Sequence, residues 1–406
     1  MAAALDGVRV IDLSQMIAGP YCTQLLGDLG ADVIKMEEPA TAPSRRAGRS
    51  PRVTGADGKP TTFSSWWLGT NRNKRAVSLD LRTDAGRETF ADLLRVSDVV
   101  VENFGADARD RLKVDERWAW SINRGIVWAS LTGFGRTGPD RNREGWDLLA
   151  QARGGLMSMT GEPDGPPMKT GVSIVDYLSG LHLSTAILAA LRHRDRTGEG
   201  QLVDVALLDC IVPCLDGFPM WHSIAGVTPT RSGNHHPMKF PGYTFYEGKD
   251  GTIAVGAPPG PLWARLANAI GRPDLTEVPD AVNRDEWDRF FETALPAVSE
   301  WVAARTRAEA GAAFDAHGVP NEPVHDLGEI WDDPQLQARG MFYESNFEPI
   351  GRVKMVGSPL KLSHTPVEYR REPTVASEHT LEVLVDLLGY DDECIARLVQ
   401  EGAIGE

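Results

Sequence analysis

Cysteine is scarce in this sequence, which has four cysteines among its 406 residues. Cys22, Cys210, Cys214 and Cys394 lack the paired spacings of zinc ribbons and redox motifs. The nine histidines form neither an H-x-x-x-H nor an H-E-x-x-H pair. The sequence therefore predicts reduced thiols and no metal site.

Positive charge is also in deficit, and the formal net charge is -15. Phosphate backbones and anionic lipids recruit basic surfaces, so this balance argues against a nucleic-acid or membrane-surface binder. The start, MAAALDGVRVIDLS, lacks a basic segment followed by a long apolar core, and no apolar run elsewhere is expected to span a membrane. We therefore expect a cytoplasmic protein.

A glycine-rich phosphate loop is missing. The segment after the first predicted strand reads SQMIAGPYCTQ, with one glycine and one proline, so neither G-x-G-x-x-G nor a P-loop fits. A G-x-S-x-G turn is absent as well. These absences exclude the usual dinucleotide-binding dehydrogenases and serine hydrolases.

Strand and helix patterns alternate over the first half of the chain. VRVIDL predicts a buried strand, residues Tyr21 to about Leu29 a helix, and DVIKME a second strand. RAVSLDL, a helix over Ala85 to Leu94, DVVVEN and GIVWASLTGF continue the pattern. The pattern predicts an α/β fold with an open parallel sheet, whose ligands bind at the carboxyl ends of the strands.

The pattern changes after about residue 225. RSGNHHPMKFPGYTFYEGKDGTIAVGA alternates apolar and polar residues around a GKDG turn, as an antiparallel hairpin does. We predict a large domain over residues 1–225, a smaller α+β domain over 226–330, and a return to the large domain over 331–406. A last helix, from about Glu378 to Leu388, is expected to pack on the large domain.

Basic residues cluster in an otherwise loop-like stretch. They are Arg45, Arg46, Arg49, Arg52, Arg72, Lys74 and Arg75. Each alone is best explained as a solvated loop charge, whereas the cluster as a whole could hold a polyphosphate.

Asp176 is the most informative candidate for chemistry. It ends the apolar, strand-like run GVSIV and precedes a long helix that contains Leu178, Leu181 and Ile187. Such an aspartate is ordinarily a helix N-cap. A helix N-terminus also favours an ionised carboxylate, and only an ionised carboxylate can attack a thioester. Asp176 is thus both a capping candidate and a nucleophile candidate.

Seven stretches in the same order resemble one enzyme family. They are IDLSQMIAGPYCTQLLGDLGADVIKME, NRNKRAVSLDLR, VVVENF, SLTGFGRTGPD, VDYLSG, RSGN and GVPNEPVHDLGEIWDDPQLQARGMF. With these segments the chain resembles the class III, CaiB/BaiF-type CoA-transferases over nearly its whole length. This resemblance implies a Rossmann-like large domain built from both chain ends, a smaller domain between them, and two copies interlocked as a homodimer.

The resemblance also implies a reaction. Asp176 would attack an acyl-CoA to give a mixed anhydride and CoA thiolate, and the thiolate would then form an aspartyl-CoA thioester that a small carboxylic acid opens. CoA and acyl-CoA would be substrates, with no permanently bound cofactor. The CoA-binding positions that carry over are Gln15, Met16, Ala18, Arg46, Lys74, Asn103, Phe104 and Arg111.

Two departures from the family bear on the acyl group. Ile17 stands where oxalate-using members have glutamine, and GAPPG, from Gly256 to Gly260, replaces their run of glycines. If these positions bind substrate, a small polar acid loses a hydrogen-bonding partner. We therefore expect an acyl substrate other than the formyl and oxalate pair, bulkier or more apolar.

Two alternatives remain open at this stage. The 2-methylacyl-CoA racemases of the same superfamily use a histidine before an aspartate, and this chain reads Gly145, Trp146, Asp147 there. Tryptophan cannot serve as an acid or base at neutral pH, which disfavours racemisation. Asp147 itself is a candidate substrate-facing carboxylate or a helix cap. The second alternative is a non-catalytic CoA-binding subunit of a two-chain transferase, against which Asp176 argues.

Overall fold

The computed structural model describes residues 2–39, 53–61, 63–280, 283–347 and 350–405. The chain divides into two compact units. The first contains residues 1–154, 171–215 and 335–406, and the second contains residues 155–170 and 216–334.

Strands and helices alternate through the N-terminal half, as the sequence predicts. The strands are β1 (Arg9–Asp12), β2 (Asp32–Glu37), β3 (Val53–Thr54), β4 (Pro60–Thr61), β5 (Lys74–Ser78), β6 (Val99–Glu102), β7 (Val127–Thr132), β8 (Leu202–Ala206), β9 (Tyr243–Gly248), β10 (Gly251–Gly256), β11 (Asn321–Pro323), β12 (Phe342–Phe347) and β13 (Gly351–Val356). The α-helices are α1 (Ala18–Asp28), α2 (Ser65–Thr70), α3 (Asp84–Arg95), α4 (Ala106–Leu112), α5 (Glu116–Ile122), α6 (Asp147–Arg153), α7 (Leu156–Met159), α8 (Ile174–Thr197), α9 (Leu207–Ile211), α10 (Phe218–Ala225), α11 (Pro261–Ala269), α12 (Arg284–Ala303), α13 (Arg307–Ala316), α14 (Pro334–Ala338) and α15 (Asp392–Gln400).

A six-stranded sheet in the order β5-β2-β1-β6-β7-β8 is the centre of the first unit. Each neighbouring pair is parallel, and Val10 of β1 pairs with Val33 of β2 on one side and Val99 of β6 on the other. Helices cover a parallel sheet on both faces, which is why strand residues such as Val100 and Val101 are fully buried. The predicted α/β class with a parallel sheet is confirmed.

Helix α1 begins earlier than the sequence predicts. Its first residue is Ala18 rather than Tyr21, and Ile17 is the N-cap. The AGP segment was expected to be loop because it contains Pro20. Proline is tolerated in the first turn of a helix, where its missing N–H would have no intrahelical acceptor. The helix therefore starts directly after the β1 loop, and Ala18 lies at its N-terminus.

The C-terminal segment packs into the core of the first unit, but its last helix is not the predicted one. Residues Glu382–Leu387 form a π-helical segment, and α15 follows it. Gly389 has a positive φ of 71°, and the Asp391 side chain then caps α15 by accepting from the Cys394 amide at 2.9 Å. Val383, Leu384 and Leu398 are buried together with Ile11 and Ile34 of the central sheet.

The second unit contains an antiparallel sheet in the order β11-β10-β9. Strands β9 and β10 form the predicted hairpin, with Gly248 paired to Gly251 across the turn. Trp263, Leu266, Val298 and Phe314, from α11, α12 and α13, form its core with strand residues of β9 and β10.

The unit boundaries differ from the predicted limits at residues 225 and 330. The second unit contains residues 216–334 and also residues 155–170. Helix α10 accounts for the first difference, because its apolar sequence FPMWHSIA carries no composition change that would mark it off from the preceding segment.

Helix α8 is the one helix of the described residues whose length and apolar composition would allow it to cross a membrane. The sequence was expected to contain no such segment. Of its most apolar window, 44% is buried within the protein, where it packs against α1, α9, β7 and β8. Core helices of soluble proteins have the same length and composition, and the burial of α8 is consistent with a soluble protein.

Candidate active site

A cavity of about 620 Å³ opens at the carboxyl ends of the central strands. The segments that follow β1, β2, β5, β6 and β7 supply its walls, with Met16, Glu38, Leu81, Asn103 and Gly133 as representatives. The sheet topology places these strand ends along one edge, where ligands bind in open α/β sheets. This is the position that the sequence predicts for the site.

Several predicted site residues meet in this cavity. Those that line it are Gln15, Met16, Ala18, Asn103, Phe104, Arg111 and Asp176. They come from four separate segments of the chain. The fold therefore brings the predicted nucleophile and most of the predicted CoA-binding positions to one place.

The β1 loop is tied to the β6 loop by a reciprocal pair of hydrogen bonds. The Gln15 amide donates to Asn103 Oδ1 at 2.9 Å, and Asn103 Nδ2 donates to the Gln15 carbonyl at 2.9 Å. Met16 next to them has a φ of 66°, in the left-handed region that non-glycine residues rarely adopt. Backbone held in such a conformation is often found at binding sites.

Lys74 is not in the cavity. Its side chain is fully buried, and Nζ donates to Asp12 Oδ2 at 3.0 Å, to the Pro20 carbonyl at 2.8 Å and to Asn71 Oδ1 at 2.9 Å. Burial, together with the nearby charge of Lys35, lowers the pKa of Lys74 to about 8. Lys74 therefore stabilises the start of α1 through its hydrogen bond to the Pro20 carbonyl and does not face the cavity.

Lys35 lines the cavity, although the sequence analysis did not single it out. Its Nζ lies 3.2 Å from Asp12 Oδ1 and also donates to the Ser14 carbonyl. Burial alone would raise the pKa of Asp12, but the charges of Lys35 and Lys74 and the hydroxyls of Ser14 and Thr23 lower it well below its ordinary value.

The rest of the predicted basic cluster does not form a phosphate site among the described residues. Arg72 makes a two-pronged ion pair with Asp28, at 2.9 and 2.6 Å, and Arg75 pairs with Asp32. Arg46 and its neighbours Arg45, Arg49 and Arg52 lie outside the described residues, so their role stays a prediction.

Other arginines line the cavity instead. Arg82 pairs with Glu38 and Asp80, and Arg109 lies 3.9 Å from Glu102. Arg111 and Arg141 are exposed, and neither has a hydrogen-bond or ion-pair partner within the described ranges. Arg141 was not predicted, because its loop was used only for the family resemblance. Its position after the end of a predicted strand could have indicated a place at the ligand-binding edge of the sheet.

Asp176 occupies the first turn of α8. The helix begins at Ile174 with Ser173 as its N-cap, so the predicted strand before Asp176 is wrong and Asp176 is not the cap. The start of α8 lies close to α1, because a Cβ on Gly180 would come within 2.7 Å of the Ala18 carbonyl oxygen. The rings of Tyr177 and Tyr21 meet edge to face, with centroids 4.9 Å apart. This contact fixes Asp176 beside the loop that precedes α1.

Asp147 does not line the cavity, and its carboxylate contacts the backbone of α8. Its Oδ1 accepts from the Val175 amide at 2.8 Å and from the Asp176 amide at 3.4 Å, while Gln151 Nε2 donates to Oδ2 at 2.6 Å. The substrate-facing position suggested for Asp147 by the sequence is therefore not the one it takes. It holds the beginning of helix α8, which carries Asp176.

Burial and the charge of Asp147 raise the pKa of Asp176 to about 7. The sequence predicts the opposite direction for this pKa, because a helix N-terminus favours an ionised carboxylate. In the structure, the amides at the start of α8 donate to Asp147, so the stabilisation that they offer to an anion goes to the neighbouring carboxylate.

The predicted acyl-site positions Ile17, Gly256 and Gly260 are not among the residues that line this cavity. Ile17 is 4% exposed and serves as the N-cap of α1. Gly256 ends β10 and Gly260, with a φ of 117°, precedes α11, and both belong to the second unit. There, Gly260 borders a hollow with Pro258, Pro259, Met238 and Trp287.

Trp146, the residue at the position where the related racemases have histidine, is 55% exposed and lines the cavity. None of the cavity-lining residues in the described part of the chain is a histidine. The histidine of a histidine–aspartate racemase is thus missing from the described walls. The cavity walls therefore favour carboxylate chemistry at Asp176.

The family model described as CoA-transferase family III matches residues 5–380. The succinyl-CoA:mesaconate CoA-transferase of Haloarcula marismortui is 38% identical, over 96% of this chain and 97% of that protein. The succinate–glutarate CoA-transferase of Agrobacterium fabrum is 35% identical, over 94% and 95%. A crystal structure of a CaiB/BaiF family protein from Brucella suis has a TM-score of 0.82 and 32% identity, and covers 95% of this chain and 100% of that one.

Proposed function

The chain belongs to CoA-transferase family III, and we propose that it transfers CoA from an acyl-CoA to a free carboxylate through covalent intermediates on Asp176. One observation carries this proposal. The Asp176 carboxyl group lines the cavity at the strand ends, together with Gln15, Met16, Ala18 and Asn103. A nucleophile at a binding cavity is what covalent transfer requires.

The proposed steps need no metal and no redox partner. An ionised Asp176 oxygen attacks the thioester carbonyl carbon, the C–S bond breaks, and CoA leaves as its thiolate. The thiolate then attacks the Asp176 carboxyl carbon and expels the donor acid as a carboxylate, which leaves an aspartyl-CoA thioester. An acceptor carboxylate reverses both steps and restores Asp176. Each step exchanges one activated acyl group for another, which splits a difficult exchange into easier ones.

CoA is proposed to bind along the cavity with its thiol end at Asp176. The loops of Gln15 and Asn103, linked by their two hydrogen bonds, would form the floor of this channel. Arg111 and Arg141 would meet the phosphates, because both are exposed arginines on the cavity wall. Arg46 stays in the proposal on the resemblance alone. Lys74 acts from beneath by holding the Pro20 carbonyl.

Short dicarboxylic acids are the proposed substrates, with succinyl-CoA as the first donor to test. The names of the two enzymes compared above, a succinyl-CoA:mesaconate and a succinate–glutarate CoA-transferase, support this choice. The family resemblance adds one point: Ile17 stands where oxalate-using members have glutamine, and isoleucine has no side-chain donor for a small polar acid.

We propose a cytoplasmic enzyme, on the sequence pattern of the N-terminus, and an interlocked homodimer, which the family resemblance implies. The net charge of -15 supports a protein that binds neither nucleic acid nor anionic membranes. Size-exclusion chromatography with light scattering would test the dimer.

An acceptor screen tests the activity directly. Purified enzyme is incubated with succinyl-CoA or acetyl-CoA and a panel of carboxylic acids, and new thioesters are detected by mass spectrometry. We expect transfer to at least one short dicarboxylic acid, and none with Asp176→Ala, since that variant lacks the nucleophile. Equal transfer by Asp176→Ala would reject Asp176 as the nucleophile.

A further inference from the structure

Two aspartates, Asp147 and Asp176, lie at the start of α8. The Asp147 carboxylate accepts hydrogen bonds from backbone amides of the α8 first turn, which carries Asp176. Asp147 Oδ1 accepts from the amides of Val175, at 2.8 Å, and Asp176, at 3.4 Å. Gln151, a fully buried residue one turn along α6, donates to the second oxygen at 2.6 Å. Hydrogen bonds to an ionised carboxylate favour its charged form. These three hydrogen bonds hold the Asp147 carboxylate beside the first turn of α8.

Within the described part of the chain, no cation lowers the pKa of Asp176, the cavity arginines Arg111 and Arg141 included. Helix α8 packs against α1, α6, α9, β7 and β8. Their titratable or charged side chains are Tyr21, Cys22, Asp28, Asp147, Arg153, Asp204, Asp209 and Cys210, and Tyr177 follows Asp176 on α8 itself. Arg153, the one cation in this set, is paired with Asp140, and Lys35 across the cavity is bonded to Asp12. After burial, the charge of Asp147 is the cause that raises the pKa of Asp176.

We propose that Asp147 is a positioning residue whose negative charge drives Asp176 into its covalent, uncharged states, in addition to holding the first turn of α8. This inference rests on the proposed nucleophilic role of Asp176. In the free enzyme, an ionised Asp176 is repelled by the charge of Asp147, whose Oδ1 lies 3.4 Å from the Asp176 amide. In the mixed anhydride and in the aspartyl-CoA thioester, Asp176 carries no charge, so the repulsion disappears.

The same interaction must therefore appear in two measurements. Repulsion by Asp147 makes it harder to ionise Asp176, which moves the acid limb of the rate profile to higher pH. It also favours the covalent thioester over the ionised enzyme at any pH where Asp176 is ionised. Because one interaction energy underlies both effects, removing the charge must change both by the same factor.

Asp147→Asn is the matched test, because asparagine keeps an oxygen that can accept from Val175 and Asp176 but has no charge. Asp147→Ser is a second uncharged variant with a shorter acceptor, and Asp147→Glu restores the charge. Arg153→Gln is the control, since it removes a charge on the same helix that is paired with Asp140. Thermal unfolding of each variant checks that it is folded.

The readout is the fraction of enzyme with CoA on Asp176, measured by peptide mass spectrometry with succinyl-CoA and succinate at a fixed ratio from pH 5 to 9. In Asp147→Asn, we expect the acid limb of the transfer rate to move down by about one pH unit. At pH 8.5, we expect the ratio of thioester-bearing to free enzyme to fall about tenfold, the same factor. Asp147→Glu and Arg153→Gln should resemble the wild type.

Failure of this inference and failure of the proposed function are distinguishable. If the wild-type Asp176 peptide is never modified while transfer proceeds, the nucleophile is misassigned. If the wild type is modified but Asp147→Asn has the same acid limb and the same thioester ratio, the charge of Asp147 has no such role. A change in only one of the two quantities would overturn the inference as well.

Discussion

Two aspartates of the first unit, the buried Asp12 and the half-buried Asp176, have opposite electrostatic surroundings. Asp12, at the end of β1, is fully enclosed and contacts Lys35, Lys74, Ser14 and Thr23. Asp176, at the start of α8, faces the carboxylate of Asp147. The pKa of Asp12 is lowered and that of Asp176 is raised to about 7. The Asp12 carboxylate is stabilised as an anion. The negative charge of Asp176 is disfavoured, and the proposed covalent modification would remove that charge.

The difference separates the structural role of Asp12 from the proposed chemical role of Asp176. Asp12 binds the two lysines that lie beneath the β1 loop and the start of α1, so its charge is fully used inside the fold. Asp176 reaches the cavity, and its own charge is opposed. Perturbed carboxyl groups at a cavity are candidates for catalysis because their environment serves reactivity at the expense of stability.

The largest effect on stability should come from Asp12→Ala. This change leaves the ammonium groups of Lys35 and Lys74 buried without their counter-ion, which costs about 3 to 5 kcal/mol of unfolding free energy. Urea unfolding at pH 7.5 measures it, and Asp176→Ala is the matched control. A loss below about 1 kcal/mol for Asp12→Ala would contradict the assigned role of this cluster.

Asp176→Asn should increase the free energy of unfolding, whereas Asp12→Ala should lower it. The pKa of Asp176 is raised on folding from 3.8 to about 7, so ionisation destabilises the folded protein as the pH rises through this window. Asparagine removes that penalty, and we expect a gain of about 1 to 3 kcal/mol at pH 8.

Unfolding of the wild type and of Asp176→Asn at a series of pH values tests the sign. The gain should be absent below pH 4, where the wild-type carboxyl is protonated in both states, and should level off above pH 7. A gain that is the same at pH 4 and pH 8 would show that the charge of Asp176 is not its cause.

The smallest effect is expected from Arg111→Gln and Arg141→Gln. Each removes one cation from the cavity wall, and we expect each to raise the KM for succinyl-CoA about tenfold while leaving kcat nearly unchanged, because a phosphate contact is made equally in the ground and transition states. Arg153→Gln, which lies outside the cavity, is the control. A lowered kcat with an unchanged KM would place these arginines at the reaction centre instead.

Much of the fold was predictable from local pattern. Alternating apolar strands and helices gave the parallel sheet, and the GKDG turn gave the β9–β10 hairpin. Helix boundaries were less predictable, because Pro20 reads as loop although it is accommodated in the first turn of α1. The helix after Asp391 was missed because the cap that starts it follows directly on Gly389, which ends the preceding segment.

The site was only partly predictable, for a physical reason. The order of motifs identifies Asp176 and the loops of Gln15 and Asn103. Which charges meet is a property of the folded chain: Lys74 turns inward to Asp12, and Asp147 approaches Asp176 across a separation of many residues.

The most direct test of the account is the covalent state of Asp176 during turnover. Wild-type enzyme is mixed with succinyl-CoA, quenched in acid, digested and examined by peptide mass spectrometry, with hydroxylamine treatment in parallel. We expect CoA on the peptide that contains Asp176, its conversion to a hydroxamate by hydroxylamine, and neither product with Asp176→Asn. Steady transfer with an unmodified Asp176 peptide, or with CoA attached to another side chain, would contradict the account.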